Sequence, residues 1–297
     1  MHPGLIRAIR RPVDKAWTIR RVLAWTAEDF AGRGIDTSRL DAELLVAHAL
    51  GLGRVQLYMD LDRPLTDVER EAIRALVMRR RKREPVAYIV GKKEFWGRSF
   101  AVTPAVLVPR PDSETLIERA LEVVGDDARV LDLCTGSGIL GITLAAERSG
   151  VHADLTDLSP DALAVARQNA EALGVSDRVR LLEGDLFGAL SGDERYSLIV
   201  SNPPYIPEAE VAELAPDVRD HEPHLALAGG ADGFVVHRRI IEAAPRFLSP
   251  GGTLLIEVGA GQAPELERLI VAQGWAEHTA RHQDLGGIER VVEARRA

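Results

Sequence analysis

The sequence has a single cysteine, Cys134. No disulfide framework can form within the chain, and a four-cysteine zinc site is excluded. No apolar run approaches the ~18 continuous residues that a membrane span requires. The basic start, Met1 to Arg21, lacks the apolar core of a signal peptide. A cytoplasmic location is therefore expected. Positive charge is also in deficit, with 37 Lys and Arg against 45 Asp and Glu for a net charge of −8. An acidic chain gains little from counterion release, so sequence-independent binding to DNA is not expected. There is no internal repeat and no low-complexity tract. What remains is a globular balance: 46% hydrophobic residues can build a core, and 297 residues suit one large domain or two ordinary ones.

The first 85 residues read as helical. Asp36-Thr37-Ser38 offers N-caps ahead of Leu40, Leu44 and Ala47 at helical spacing. Thr66-Asp67-Val68-Glu69 matches a capping box, with Val68, Ala72, Ile73, Leu76 and Val77 expected on one apolar face. That helix should stop before Pro85, because proline pushes the preceding residue out of the α region. Residues 86–108, rich in aromatics, β-branched residues and glycine, predict a hairpin or extended linker. The remainder, 109–297, alternates strand with helix. Strands are expected over Arg129–Leu133, His152–Asp157, Val179–Leu182, Ser197–Val200 and Thr253–Val258, followed by a final pair. This is the pattern of an α/β fold, a mostly parallel sheet with helices on both faces.

Asp132-Leu133-Cys134-Thr135-Gly136-Ser137-Gly138 lies between the first of these strands and its helix. Glycine there lets backbone pass close to a ligand. Gly136-x-Gly138-x-x-Gly141 also fits a dinucleotide fingerprint, a weak signal by itself that a turn binding nothing would satisfy equally. The acid Asp132 favours a cofactor carrying an ammonium and a sulfonium over an anionic pyrophosphate. At close range the difference in sign is worth a few kcal/mol. Asp157, ending the second strand, can accept from ribose hydroxyls whichever cofactor is bound. Asp185, after the third, is placed to meet an adenine amino group, although aspartate is also common in turns.

Asn202-Pro203-Pro204-Tyr205 follows the fourth strand. In an open α/β sheet ligands bind past the carboxyl ends of the strands at the switch point. If the first and fourth strands are neighbours, this loop faces the glycine loop. Consecutive prolines remove backbone donors and hold Asn202 and Pro203 extended. The loop then offers acceptors, the Asn202 side-chain oxygen and the Pro203 carbonyl. Such acceptors suit a planar, conjugated nitrogen whose lone pair is delocalised: they hold both N–H bonds and support positive charge as the nitrogen attacks a methyl group. Tyr205 would wall the slot. The bland alternative is a surface turn, since Asn and Pro favour turns.

With these residues in place the chain resembles the release-factor glutamine methyltransferases. The likeness also includes Ser38 to Leu45, Arg83 to Ile89, Leu107-Val108-Pro109-Arg110-Pro111-Asp112-Ser113-Glu114, Glu222-Pro223 and Glu289 to Val292. The resemblance implies a Rossmann-like class I methyltransferase domain behind a small N-terminal helical domain that recognises the substrate. It implies S-adenosyl-L-methionine as cofactor, S-adenosyl-L-homocysteine as product, and as acceptor the Gly-Gly-Gln glutamine of peptide chain release factors. Cofactor contacts would fall on Cys134 to Gly138, Asp157, Leu186 and Asn202, and glutamine contacts on Asn202 to Tyr205. Where the family usually has glycine this chain has Cys134, as often does a sister family that methylates a ribosomal protein. An adenine amino-methyltransferase, a cofactor-binding adaptor and a dehydrogenase are the other readings. The first of these would want a basic face and room to flip a base.

Two further features are expected to be structural. The basic run Arg79 to Arg83 reads as a solvated face completing a helix C-terminus, with contact to a release factor or RNA as the sharper alternative. His221-Glu222-Pro223-His224 lacks the helical spacing of a metal pair, so no metal is expected. A monomer with no direct nucleic-acid contact is the expectation.

Overall fold

A computed structural model describes residues 16–297, so most of the basic start lies outside the described residues. The chain divides into two compact units, Met1–Val90 and Gly91–Ala297. Each is described by itself.

The first unit holds α1 (Ile19–Ala31), α2 (Ser38–Leu50), α3 (Arg54–Met59), α4 (Asp67–Arg81) and α5 (Val86–Val90). Thr18 caps α1 by accepting from the Arg21 amide, and the capping box at Thr66 and Glu69 forms as the sequence predicts. The buried faces differ from expectation. Leu40 and Val68 are exposed, whereas Ala42, Leu45 and Val46 of α2 meet Ile73 and Val77 of α4 in the core. The displaced face of α2 carries two buried acids, Asp41 and Glu43, which apolar periodicity treats as solvent-facing. Asp41 accepts from Arg80 Nε at 2.7 Å, and Glu43 accepts from Arg54 at 2.7 Å and from Arg39 at 3.1 Å. The basic run is thus largely spent inside its own unit. Arg79 binds Glu84, Arg81 binds Asp29, and Arg83 donates to the Gly34 carbonyl.

Residues 86–90, expected in a linker, form α5 and pack on the first unit's core through Ile89. Pro85 explains this: it cannot continue α4, but its carbonyl accepts from Tyr88 and Ile89 and its fixed φ starts a new turn.

The second unit opens with a hairpin, β1 (Lys92–Phe95) and β2 (Arg98–Ala101), joined by Trp96-Gly97. Both turn residues have positive φ, 49° and 66°, the two-residue turn whose twist matches paired strands. Then follow α6 (Glu114–Val123), β3 (Arg129–Leu133), α7 (Ile139–Glu147), β4 (His152–Asp157), α8 (Pro160–Ala172), β5 (Val179–Glu183), β6 (Tyr196–Ser201), α9 (Pro216–Arg219), α10 (Val235–Phe247), β7 (Leu248–Glu257), α11 (Ala263–Gln273), β8 (Ala276–Gln283) and β9 (Glu289–Arg296). The seven-stranded sheet runs β5-β4-β3-β6-β7-β9-β8. Its first five strands are parallel, and β9 pairs antiparallel with both β7 and β8.

Successive strand residues supply opposite faces. Val130, Leu198, Val200 and Leu255 pack with α6 and α7, while Leu131, Ile199, Leu254 and Ile256 pack with α10 and α11. Helix α6 was not anticipated, although Leu116, Ile117 and Ala120 give it an apolar face. Strands β3 and β6 are neighbours in a register that sets Leu133 beside Ser201, so the loops after them leave the sheet together.

The Asp41–Arg80 pair generates a stability prediction, because both side chains are almost fully buried. Asp41→Ala should cost about 3 kcal/mol by stranding the arginine, read as a lowered urea midpoint of the helical unit. A loss under ~0.5 kcal/mol would show that the pair does not hold α2 to α4.

Candidate active site

The loops after β3, β4, β5 and β6 surround a cavity of about 220 Å3. Cys134, Thr135, Gly136, Ser137, Asp157, Asp185, Leu186, Asn202 and Pro204 line it. Asp132, Gly138, Pro203 and Tyr205, also singled out by the sequence, are not on the wall.

Asp132 lies beneath the glycine loop, fully buried. Its Oδ2 accepts from the Thr135 hydroxyl at 2.6 Å and from the Gly141 amide at 2.9 Å. A side chain at Gly141 would run into Asp132 and Leu155, so glycine is required there by packing. Burial raises the Asp132 pKa to about 7, partly offset by the Thr135 and Gly141 hydrogen bonds. The acid therefore braces the loop from beneath the cavity wall. Its Oδ1 is buried without a protein partner, and a nearby cation would favour the ionised form.

Asp157 clamps the same loop from the other side. Its Oδ2 accepts from the Gly136 amide at 2.8 Å and its Oδ1 from Ser159 at 2.9 Å. Each oxygen retains a lone pair, so contact with ribose hydroxyls is compatible with this clamp. Asp185 already accepts from Arg239 at 2.7 Å, and Arg110, the other cation on the wall, is held by Glu222 at 2.7 Å. Neither arginine is left as an unneutralised anion receptor. The donor set thus fits a cationic cofactor better than a pyrophosphate, and S-adenosyl-L-methionine matches it.

The Asn-Pro-Pro-Tyr loop is gripped by glycines. A Cβ at Gly229 would come within 2.8 Å of the Pro204 carbonyl and of Tyr205 Cα, and one at Gly233 within 2.4 Å of the Tyr205 carbonyl. That carbonyl accepts from Gln262 Nε2 at 2.9 Å. Tyr205 packs beside Gly259 and away from the cavity wall, and burial raises its pKa to about 12. Asn202 turns its Nδ2 inward to Ser113 Oγ at 3.1 Å. With Nδ2 so engaged, Oδ1 is the atom left to accept, and the residue lines the cavity.

Sequence reading missed several supports. Asn169, on α8, donates to the Ser137 carbonyl at 2.8 Å and exchanges hydrogen bonds with Ala101, tying the glycine loop to β2. Ser113, Glu257 and Gln262 were also missed as supports.

Two non-glycine wall residues hold left-handed backbone, Cys134 at φ 57° and Leu186 at φ 52°. Strain of this kind concentrates at ligand sites. Burial pushes the Cys134 thiol well above its ordinary pKa, so it is an inert filler. Cys134→Gly should keep cofactor affinity within about threefold, because glycine adopts this φ freely. Cys134→Val should destabilise by about 1–3 kcal/mol. Calorimetry and thermal melts read both, and a large loss of cofactor affinity in Cys134→Gly would mean that the thiol itself is needed.

Comparison with known proteins gives the family and the fold. Residues 21–91 match the family model of the PrmC N-terminal domain, and residues 111–217 match that of the Methyltransferase small domain. The release factor glutamine methyltransferase of Geobacter sulfurreducens is 48% identical over 280 residues, covering 94% of this chain and 97% of its own. That of Cereibacter sphaeroides is 47% identical over 89% of this chain and 94% of its own. Among solved structures, a methyltransferase from Pyrococcus furiosus superposes with a TM-score of 0.52 at 18% identity, covering 68% of this chain and 91% of that one. A 16S rRNA N2 G1207 methyltransferase from T. Thermophilus, in complex with AdoMet and guanosine, gives 0.51 at 20% identity, covering 69% of this chain and 50% of that one. These two likenesses establish the methyltransferase fold alone. The sequence relatives go further: with both family models matched in order and identity near one half along almost the full length of each chain, the protein belongs to the release factor glutamine methyltransferase family.

Proposed function

We propose that the protein transfers a methyl group from S-adenosyl-L-methionine to the side-chain amide nitrogen of the glutamine in the Gly-Gly-Gln motif of peptide chain release factors. S-adenosyl-L-homocysteine is the expected product. The observation that carries this reading is Asn202 on the wall of the glycine-loop cavity, with its Nδ2 bound inward to Ser113 and its Oδ1 left to accept. The relatives' names supply the substrate.

The cofactor supplies an electrophilic methyl group. Cys134 to Ser137, Asp157, Asp185 and Leu186 would hold it, and Asp132 and Gly138 shape the loop that does so. Asn202 Oδ1 and the Pro203 carbonyl accept the two N–H bonds of the glutamine amide. They fix its plane and favour positive charge on the nitrogen during attack. The amide needs no base beforehand, because its proton becomes acidic once the nitrogen is alkylated and is then lost to water. Pro204 and Tyr205 keep the loop in place, Tyr205 through the Gln262 contact.

The protein is taken as a monomer, and among the described residues no helix is long and apolar enough to cross a membrane. We place the enzyme in the cytoplasm with its substrate. The net charge of −8 weighs against a nucleic-acid acceptor, and the relatives' names weigh against a ribosomal-protein one.

Incubation with methyl-labelled cofactor and a release factor should place label on the Gly-Gly-Gln glutamine, located by mass spectrometry. Changing that glutamine to alanine should abolish it. Asn202→Ala should reduce the rate by about 100-fold or more. Label elsewhere, or an undiminished rate in Asn202→Ala, would overturn the assignment.

A further inference from the structure

We infer that Ser113 and Glu257 are positioning residues: they form a one-way hydrogen-bond chain that turns the Asn202 side-chain carbonyl, and not its NH2 group, toward the substrate amide. This deepens the reading above and rests on it.

The sheet brings the participants together. Ser201 pairs with Ile256, so Asn202 and Glu257 leave neighbouring parallel strands side by side. Ser113 ends the short 3-10 turn Pro111–Ser113 ahead of α6 and is fully buried. Asn202 Nδ2 donates to Ser113 Oγ at 3.1 Å, and both side chains lie near enough to the buried Glu257 carboxylate to favour its ionised form. Glu257 is 2% exposed, and its Oε2 has no partner. Its own carbonyl is fixed by His237 Nε2 at 3.0 Å.

The direction of the chain follows from counting protons. A carboxylate only accepts. The serine hydroxyl has one proton, and giving it to Glu257 leaves Ser113 Oγ as an acceptor toward Asn202. The Asn202 NH2 group must therefore point inward and Oδ1 outward. An asparagine amide has nearly the same shape in either orientation, so only its partners choose between them. The reversed amide would set Oδ1 against the buried carboxylate and face the glutamine NH2 with another NH2. Burial raises the Glu257 pKa to about 7; Ser113, Arg290 and Asn202 oppose this and Asp112 adds to it. A proton on the unpartnered Oε2 would leave the other oxygen accepting, so the chain keeps its direction. Glutamine at this position could donate through Ser113 and permit the reversed amide. That freedom is what the acid removes.

The test uses the full-length protein and the near-isosteric variants Ser113→Ala and Glu257→Gln, with Asn202→Asp alone and combined with Glu257→Gln. Each is assayed for kcat and KM on a release factor and for cofactor affinity by calorimetry. Ser113→Ala and Glu257→Gln should each lower kcat about tenfold, with cofactor affinity and KM within about threefold, the size expected for one hydrogen bond. Asn202→Asp alone sets two carboxylates together. Adding Glu257→Gln lets the new amide donate through Ser113 to the aspartate, so the double variant should exceed Asn202→Asp by about tenfold. Wild-type kcat in both single variants, loss of cofactor affinity in step with kcat, or a double variant no better than Asn202→Asp would overturn the proposal. A second readout is independent of turnover. The Asn202 side-chain NH2 protons should exchange slowly with solvent by NMR in the wild type and fast in Ser113→Ala; fast exchange in the wild type refutes the chain. Absence of methyl transfer by the wild type would instead refute the proposed function, and the exchange measurement would still decide the inference.

Discussion

Parallel pairing of β3 with β6, in the register that sets Leu133 beside Ser201, delivers two loops of opposite character to one end of the sheet. The first is rich in glycine and bends through left-handed backbone at Cys134, Gly136 and Gly138. The second is stiffened by consecutive prolines and offers acceptors rather than donors. The Ser201 hydroxyl donates to the Leu133 carbonyl at 2.8 Å and stitches the strand ends at the point where the loops diverge. Everything proposed about chemistry depends on that adjacency, because β4 on one side and β7 on the other bring the remaining participants into reach.

Around this core the side chains separate into those that face the cavity and those that hold the facing groups still. Asp132 and Asp157 grip the glycine loop from below and beside it. Gly229 and Gly233 let other backbone approach the acceptor loop closely, and Gln262 anchors the Tyr205 carbonyl. Positioning of reacting groups can contribute ~7–11 kcal/mol to a rate, but only if the supports are rigid. Buried carboxylates and close glycine contacts are costly ways to obtain rigidity, and both occur here.

Much of this was legible in the sequence, for identifiable reasons. Helix α7 announces itself through a largely apolar run behind glycine, β3 and β4 through short segments with recurring apolar residues that end at a glycine loop or an acid, and the Asn-Pro-Pro-Tyr loop through residue types whose backbone options are few. Other features depend on contacts between distant residues. Asp41 and Glu43 are buried although apolar periodicity gives no reason to place an acid inside, and arginines at positions 80 and 54 make their burial tolerable. Asp132 lies beneath the glycine loop and off the cavity wall, a placement that its position before the glycines does not reveal. Ser113 and Glu257 lie far apart in sequence and meet only because Pro111–Ser113 packs over the end of β7, which no local pattern encodes.

The most direct measurement is a crystal structure of the protein with S-adenosyl-L-homocysteine and a release factor bound together. The account predicts the glutamine amide nitrogen within about 3 Å of both Asn202 Oδ1 and the Pro203 carbonyl, with the homocysteine sulfur in line behind it. A glutamine bound with its nitrogen away from Asn202, or approached by Asn202 Nδ2 in place of Oδ1, would contradict it.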